Sequence, residues 1–132
     1  MAALGTNVLV RYLVEDDVAQ LAAARRLIRR CVADGEVLFV PVSVALELEW
    51  VLRSNFRLSK EQVIEVLSGL LATGELTFES EGAVELALAL YAQAEVDYPD
   101  CLHVALALQA GQPPLWTFDK AAARVAGARR LA

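Results

Sequence analysis

Apolar residues gather in short runs separated by longer helical repeats, and that alternation sets the predicted architecture. Residues 2–5 (AALG), 36–42 (EVLFVPV), 75–79 (ELTFE) and 114–118 (PLWTF) are compact apolar stretches bounded by Gly, Pro or a charge, as buried strands are. Residues 128–132 (ARRLA) give a weaker fifth strand. Between these runs the period lengthens. Asp17 followed by Gln20 has the form of a capping box and opens a helix to about residue 34, with Gly35 as its stop. Ser59 and Gln62 repeat the device, and Val63, Val66, Leu67, Leu70 and Leu71 then fall at i, i+3, i+4, i+7 and i+8 on one buried stripe. A helix over residues 43–54 follows the second strand with Ser43 as its N-cap. Another opens at Asp97, with Pro99 in the first turn and Gly111 as terminator.

Strand and helix thus alternate, usually with two helices in each crossover, which predicts a parallel sheet covered on both faces. In such sheets ligands sit beyond the carboxyl ends of the strands. The chain has 132 residues, 57% of them hydrophobic, which suits a single domain over residues 1–132 with one sizeable core.

Composition narrows the function. A net charge of −5 argues against binding nucleic acid through a generally basic surface, yet leaves room for a nuclease with an acidic, metal-loaded site. The segment ARRLIRR sets Arg25, Arg26, Arg29 and Arg30 at helical spacing. This is a solvated helix face or, alternatively, a contact for RNA or a partner. Cys31 and Cys101 form neither a metal knuckle nor a CxxC pair, and no secretory pattern opens the chain, so a cytoplasmic protein with reduced thiols is expected. The longest uncharged run, residues 101–118, is interrupted by His103, Gln109, Gly111 and two prolines, so it is predicted as helix, turn and strand rather than a membrane span.

Three acids follow strands or open helices at the predicted binding edge: Glu47, Asp100 and Asp119. Carboxylate oxygens are the hard ligands that Mg²⁺ and Mn²⁺ prefer, and like charges drawn together call for a cation. Each acid also has a plain structural role open to it. Asp100 suits the positive end of a helix dipole, and Asp119 suits an N-cap for the residues after it. Glu49 competes with Glu47. If the apolar face of this helix is Leu46, Trp50 and the stem of Arg53, Glu47 flanks it and Glu49 turns further toward solvent, but spacing alone does not separate the two. His103, in a Leu- and Ala-rich helix, suits packing or the surface better than general-base work. No Ser/His/Asp motif or phosphate-binding GxxxxGK[ST] loop is present.

The opening stretch LGTNVLVRYL, the S-x3-E-x2-WVLR helix, the start D-x2-D-x-L (97–102) and TFDK near the end resemble, in that order, a PIN domain, and specifically the toxins of VapBC toxin–antitoxin pairs. The resemblance covers nearly the whole chain. It implies a PIN-like (Rossmann-like) three-layer α/β/α sandwich with a short, mainly parallel, four- to five-stranded sheet. It also implies a homodimer, a small VapB-like antitoxin as partner, and an Mg²⁺- or Mn²⁺-dependent endoribonuclease acting on RNA. Three of the family's four acids carry over to Glu47, Asp100 and Asp119 as metal ligands, with Thr6, Asn7 and Thr117 as hydrogen-bonding support. The fourth, an Asp in the family's DTN motif, is Gly5 here. Either the substitution disarms a nuclease, leaving it weak or inactive, or the chain is a naturally inactive scaffold that acts through its antitoxin or dimer contacts. An aspartyl-phosphate phosphatase of similar topology would need a nucleophile at this same position.

Overall fold

Each predicted strand is present, and each is shorter than its apolar run. The computed structural model describes residues 2–14 and 17–131. In chain order the elements are β1 (Ala2–Ala3), α1 (Thr6–Leu13), α2 (Val18–Ala33), β2 (Leu38–Val40), α3 (Val42–Ser54), α4 (Lys60–Leu71) and β3 (Leu76–Phe78). After them come α5 (Glu81–Gln93), α6 (Tyr98–Gln109), β4 (Leu115–Thr117), a 3₁₀ turn (Ala122–Arg124) and β5 (Ala128–Arg130). Residue 132, the end of the predicted fifth strand, lies outside the described residues. Two helices separate each successive pair from β1 to β4, as the alternation predicts.

All strand pairs are parallel, but the strands do not form one sheet. β1, β2 and β3 pair in that order, with Ala2 opposite Leu38 and Leu38 opposite Leu76, while β4 and β5 form a separate pair. The expected four- to five-stranded sheet is therefore divided three and two, within an α/β architecture of short parallel strands. Burial also differs from expectation. β2 and β3 bury alternate residues, and Ala2 and Ala3 on the edge strand β1 are exposed. An edge strand of two residues has a neighbour on one side only, so its side chains stay open while Leu4, just beyond it, is buried.

Local chemistry explains the helix ends. Asp17 accepts a hydrogen bond from the Gln20 backbone N–H at 3.0 Å, and Ser59 and Gln62 form the full reciprocal capping box. Gly35 and Gly111 adopt φ of +73° and +70° just past α2 and α6, the left-handed turn that glycine tolerates best. Ser43 is not the cap of α3. That helix begins one residue earlier, after Pro41, and the Val42 N–H is satisfied by the Glu79 carboxylate at 2.8 Å.

Most of the buried apolar side chains form one cluster that includes Leu4, Leu38, Leu48, Leu67, Phe78, Leu102 and Val125. Val63, Leu67 and Leu70 of the predicted α4 stripe are buried in it, with Val66 and Leu71 packed alongside. No helix of the described residues is long and apolar enough to cross a membrane. Cys31 and Cys101 are free and buried. Burial first, and the neighbouring Asp100 charge second, push the Cys101 thiol up to about 11, so it is protonated at neutral pH.

Candidate active site

The candidate acids come from three helix or strand ends, and the structure groups them unevenly. Gly5 is the N-cap of α1, exposed, with extended backbone at φ −81° and ψ 165°. Among the described residues, nothing beyond its chain neighbours lies within 4 Å of where its Cβ would stand. Thr6 follows it, 7% exposed, and its hydroxyl donates to Glu47 Oε1. That bond fastens the start of α1 to α3 and holds the Glu47 carboxylate beside Gly5's neighbour. Asn7 is exposed and lines a groove between α1 and α2 with Val8, Arg11, Gln20 and Leu27.

Glu47 and Glu49 have opposite fates. α3 buries Ala45, Leu48, Glu49 and Leu52, and Trp50 is 53% exposed. The face built on Leu46, Trp50 and Arg53 is therefore not the buried one, and Glu49 points into the core rather than toward solvent. Its Oε2 accepts from Arg53 Nε at 2.9 Å and from the Tyr91 hydroxyl at 3.0 Å. The spacing of Ala45, Leu48 and Leu52 at i, i+3 and i+7 is the sequence signal for this face. Glu47, one side round the helix, stays accessible.

Asp100 and Asp119 are the acids that sense each other. Asp100 stands in the first turn of α6 and is half-buried. Its carboxyl is held above the ordinary range, by burial first and then by the negative charge of Asp119, with Asp97 adding a little and His103 opposing. His103 is exposed one turn further on. Asp119 is fixed by its own loop: its N–H donates to Thr117 Oγ1 at 3.0 Å, and its Oδ1 accepts from Ala121 N–H at 2.8 Å and Ala122 N–H at 3.3 Å. These bonds brace the turn before the 3₁₀ segment, whose N-cap is Ala121 rather than Asp119, and a carboxylate retains further acceptor capacity.

Among the described residues no three Asp, Glu, His or Cys side chains gather closely enough to hold a metal ion. The charge of Asp119 acts on Asp100, and Glu47 is tied to Thr6. In kind these donors suit a hard divalent cation: all are carboxylates, and the Asp119 charge, which adds to burial in raising the Asp100 carboxyl, is one that a cation would offset. At Gly5 a Cβ would meet no atom of the described residues beyond its chain neighbours.

A relative at modest similarity is the VapC ribonuclease of Aquifex aeolicus (strain VF5), 25% identical over 120 residues, which spans 91% of this chain and 88% of that protein. The PIN domain family matches residues 3–128, so the match takes in Gly5, Glu47, Asp100 and Asp119 together. On that near-complete match, the chain belongs to the PIN-domain family.

Proposed function

We propose that this chain is the ribonuclease toxin of a toxin–antitoxin pair, disarmed by glycine in place of the first acid of its site. The observation that carries the reading is Gly5 itself. It is exposed at the start of α1 with room for a side chain, directly before a Thr6 that holds Glu47. Its negative φ makes no demand for glycine, so the backbone gives no reason for the residue to be there. The relative named a ribonuclease aligns over most of both chains, which supports RNA as substrate.

In this reading Asp100, Asp119 and Glu47 hold Mg²⁺ or Mn²⁺, and position 5 is the missing ligand. When bound, such an ion lowers the pKa of a water and stabilises charge developing on the phosphate. The chain's own residues orient the donors. Thr6 fixes the Glu47 carboxylate, Asn7 extends the polar edge beside it, and Thr117 with the turn at residues 121–122 fixes Asp119. Thr117 ends β4 and Asp119 follows it, so the phosphate would lie beyond the carboxyl end of that strand. The protein acts in the cytoplasm as a homodimer and is held inactive by a small VapB-like antitoxin.

Gly5→Asp tests this reading. The restored protein should cleave RNA in Mg²⁺ or Mn²⁺, stop in EDTA, and exceed the Gly5 chain by about 10²-fold or more, the scale of cost for misplaced reacting groups. Asp100→Asn in the restored protein should abolish most of the gain. The scattered donor set favours a second reading, an inactive scaffold that works through its antitoxin or dimer contacts. It is preferred if the restored protein stays inactive in both metals while still binding a partner.

A further inference from the structure

The β4–β5 pair turns one face inward and leaves the other open. Leu115 and Ala128 pack on the core. On the opposite face Trp116 is 53% exposed and Phe118, two residues on, is 74% exposed. Trp116 is in register with Arg129, whose guanidinium carbon lies 5.6 Å from the centroid of the indole ring. The Leu131 N–H bonds to the Thr117 carbonyl at 2.8 Å and extends the pairing by one step. Two open aromatic side chains and a stacked guanidinium therefore share one surface, and that surface ends at Asp119.

We propose that the outer face of β4–β5, built from Trp116, Phe118 and Arg129, is a stacking platform for unpaired bases of single-stranded RNA beside the Asp100–Asp119 pair. The proposal rests on the ribonuclease reading and names the form of RNA that the site takes. Every base has a π-face, so aromatic rings and guanidinium planes bind single strands with little regard to sequence. Charge supports the same occupant. Between residues 115 and 131 stand Lys120, Arg124, Arg129 and Arg130 against Asp119 as the single acid, in a chain of net charge −5. This local excess of cations complements phosphates. A second copy docked by the same face would bring two copies of the cationic Arg129 together, which opposes a two-fold contact there.

The test uses the intact chain with Trp50→Phe, so that Trp116 is the only indole, in EDTA so that nothing is cleaved. Titration with an unstructured oligoribonucleotide of about ten nucleotides, within the range of known single-strand sites, should quench Trp116 emission saturably. The matching duplex should not. By anisotropy of labelled RNA, Phe118→Ala and Trp116→Ala should each weaken binding about tenfold, while Trp116→Phe keeps most of the affinity. Both residues are exposed, so these changes leave the core intact. RNA binding with Trp116 emission unmoved and affinity unchanged in Phe118→Ala and Arg129→Ala would overturn the platform and leave the ribonuclease reading standing. Emission that follows protein concentration without RNA would make this face an interface between copies and would also overturn it. Cleavage by the Gly5→Asp protein is judged separately, so failure of the enzyme and failure of the platform give different results.

Discussion

At the scale of single residues, the site turns on what surrounds each carboxyl. The Asp100 carboxyl is raised in the folded protein by burial and by Asp119, so the folded state keeps this proton to higher pH than the unfolded chain does. The stability it contributes is complete below the ordinary carboxylate range and is lost as pH rises through the folded value. Asp119→Asn removes the second of the two causes and leaves the first, so the Asp100 pKa should fall but stay above that of a free aspartate. Carboxyl ¹³C shifts followed through a pH titration measure it. An Asp100 titration that does not move would mean that the two carboxylates do not share a site. The same reasoning shows what sequence could convey at this scale. Asp100 and Asp119 were legible because each lies at a helix start or strand end, where local pattern fixes position. For Glu47 and Glu49 the local signal was the Ala45, Leu48 and Leu52 stripe, which puts Glu49 on the buried face; the partners that hold them, Thr6 for one and Tyr91 for the other, lie far along the chain and left no local trace.

Among the elements, α3 carries the largest electrostatic commitment. Glu49 is fully buried, its Oε2 shared by Arg53 and Tyr91, and its Oε1 and the Tyr98 hydroxyl have no hydrogen-bond partner among the described residues. The Tyr91 phenol is pushed up to about 12, by burial first and by the Glu49 charge next, so it remains a donor to the carboxylate. The Arg53 side chain is 41% exposed and can turn to water, whereas Glu49 cannot. Removing the cation should therefore harm more than removing the anion. Arg53→Met is expected to cost on the order of 3 kcal/mol, as for one partner lost from a buried pair, and Glu49→Gln about 1 kcal/mol, as for one hydrogen bond weakened. Urea unfolding of both variants gives the order, and a larger loss for Glu49→Gln would contradict it. Helix ends divide in the same way between local and distant causes. The caps at Asp17 and Ser59 were readable because donor and acceptor lie three residues apart. The start of α3 was not, since the group that satisfies Val42 is Glu79, 37 residues away.

For the whole molecule, the division into two small sheets makes the attachment of β4–β5 to the core the joint on which Asp119 depends. Five strands could be read from apolar runs between breakers, but which strands pair is a matter of long-range packing, and the three-and-two arrangement left no local trace. Gly127 stands at the joint. Its carbonyl accepts from the Leu115 N–H at 2.8 Å, which opens the β4–β5 pairing. Its φ is +102°, and a Cβ there would lie 2.9 Å from Val104 Cγ1 and 3.3 Å from Leu108 Cδ1, both on α6. Glycine thus lets the strand lie directly on the helix that carries Asp100, and so sets Asp119 relative to it. Gly127→Ala adds both backbone strain and overpacking, and should destabilise the fold by on the order of 2 kcal/mol. The loss should be local before it is global, with amide exchange at Leu115 and Leu131 accelerated more than at Leu38 or Leu76 in the other sheet. Val104→Ala in the same protein should recover the packing part and leave the backbone part, because it makes room for the methyl but cannot change φ. Uniform acceleration of exchange in both sheets would show that they unfold as one unit. The position of Asp119 would then depend on the stability of the whole fold rather than on this contact.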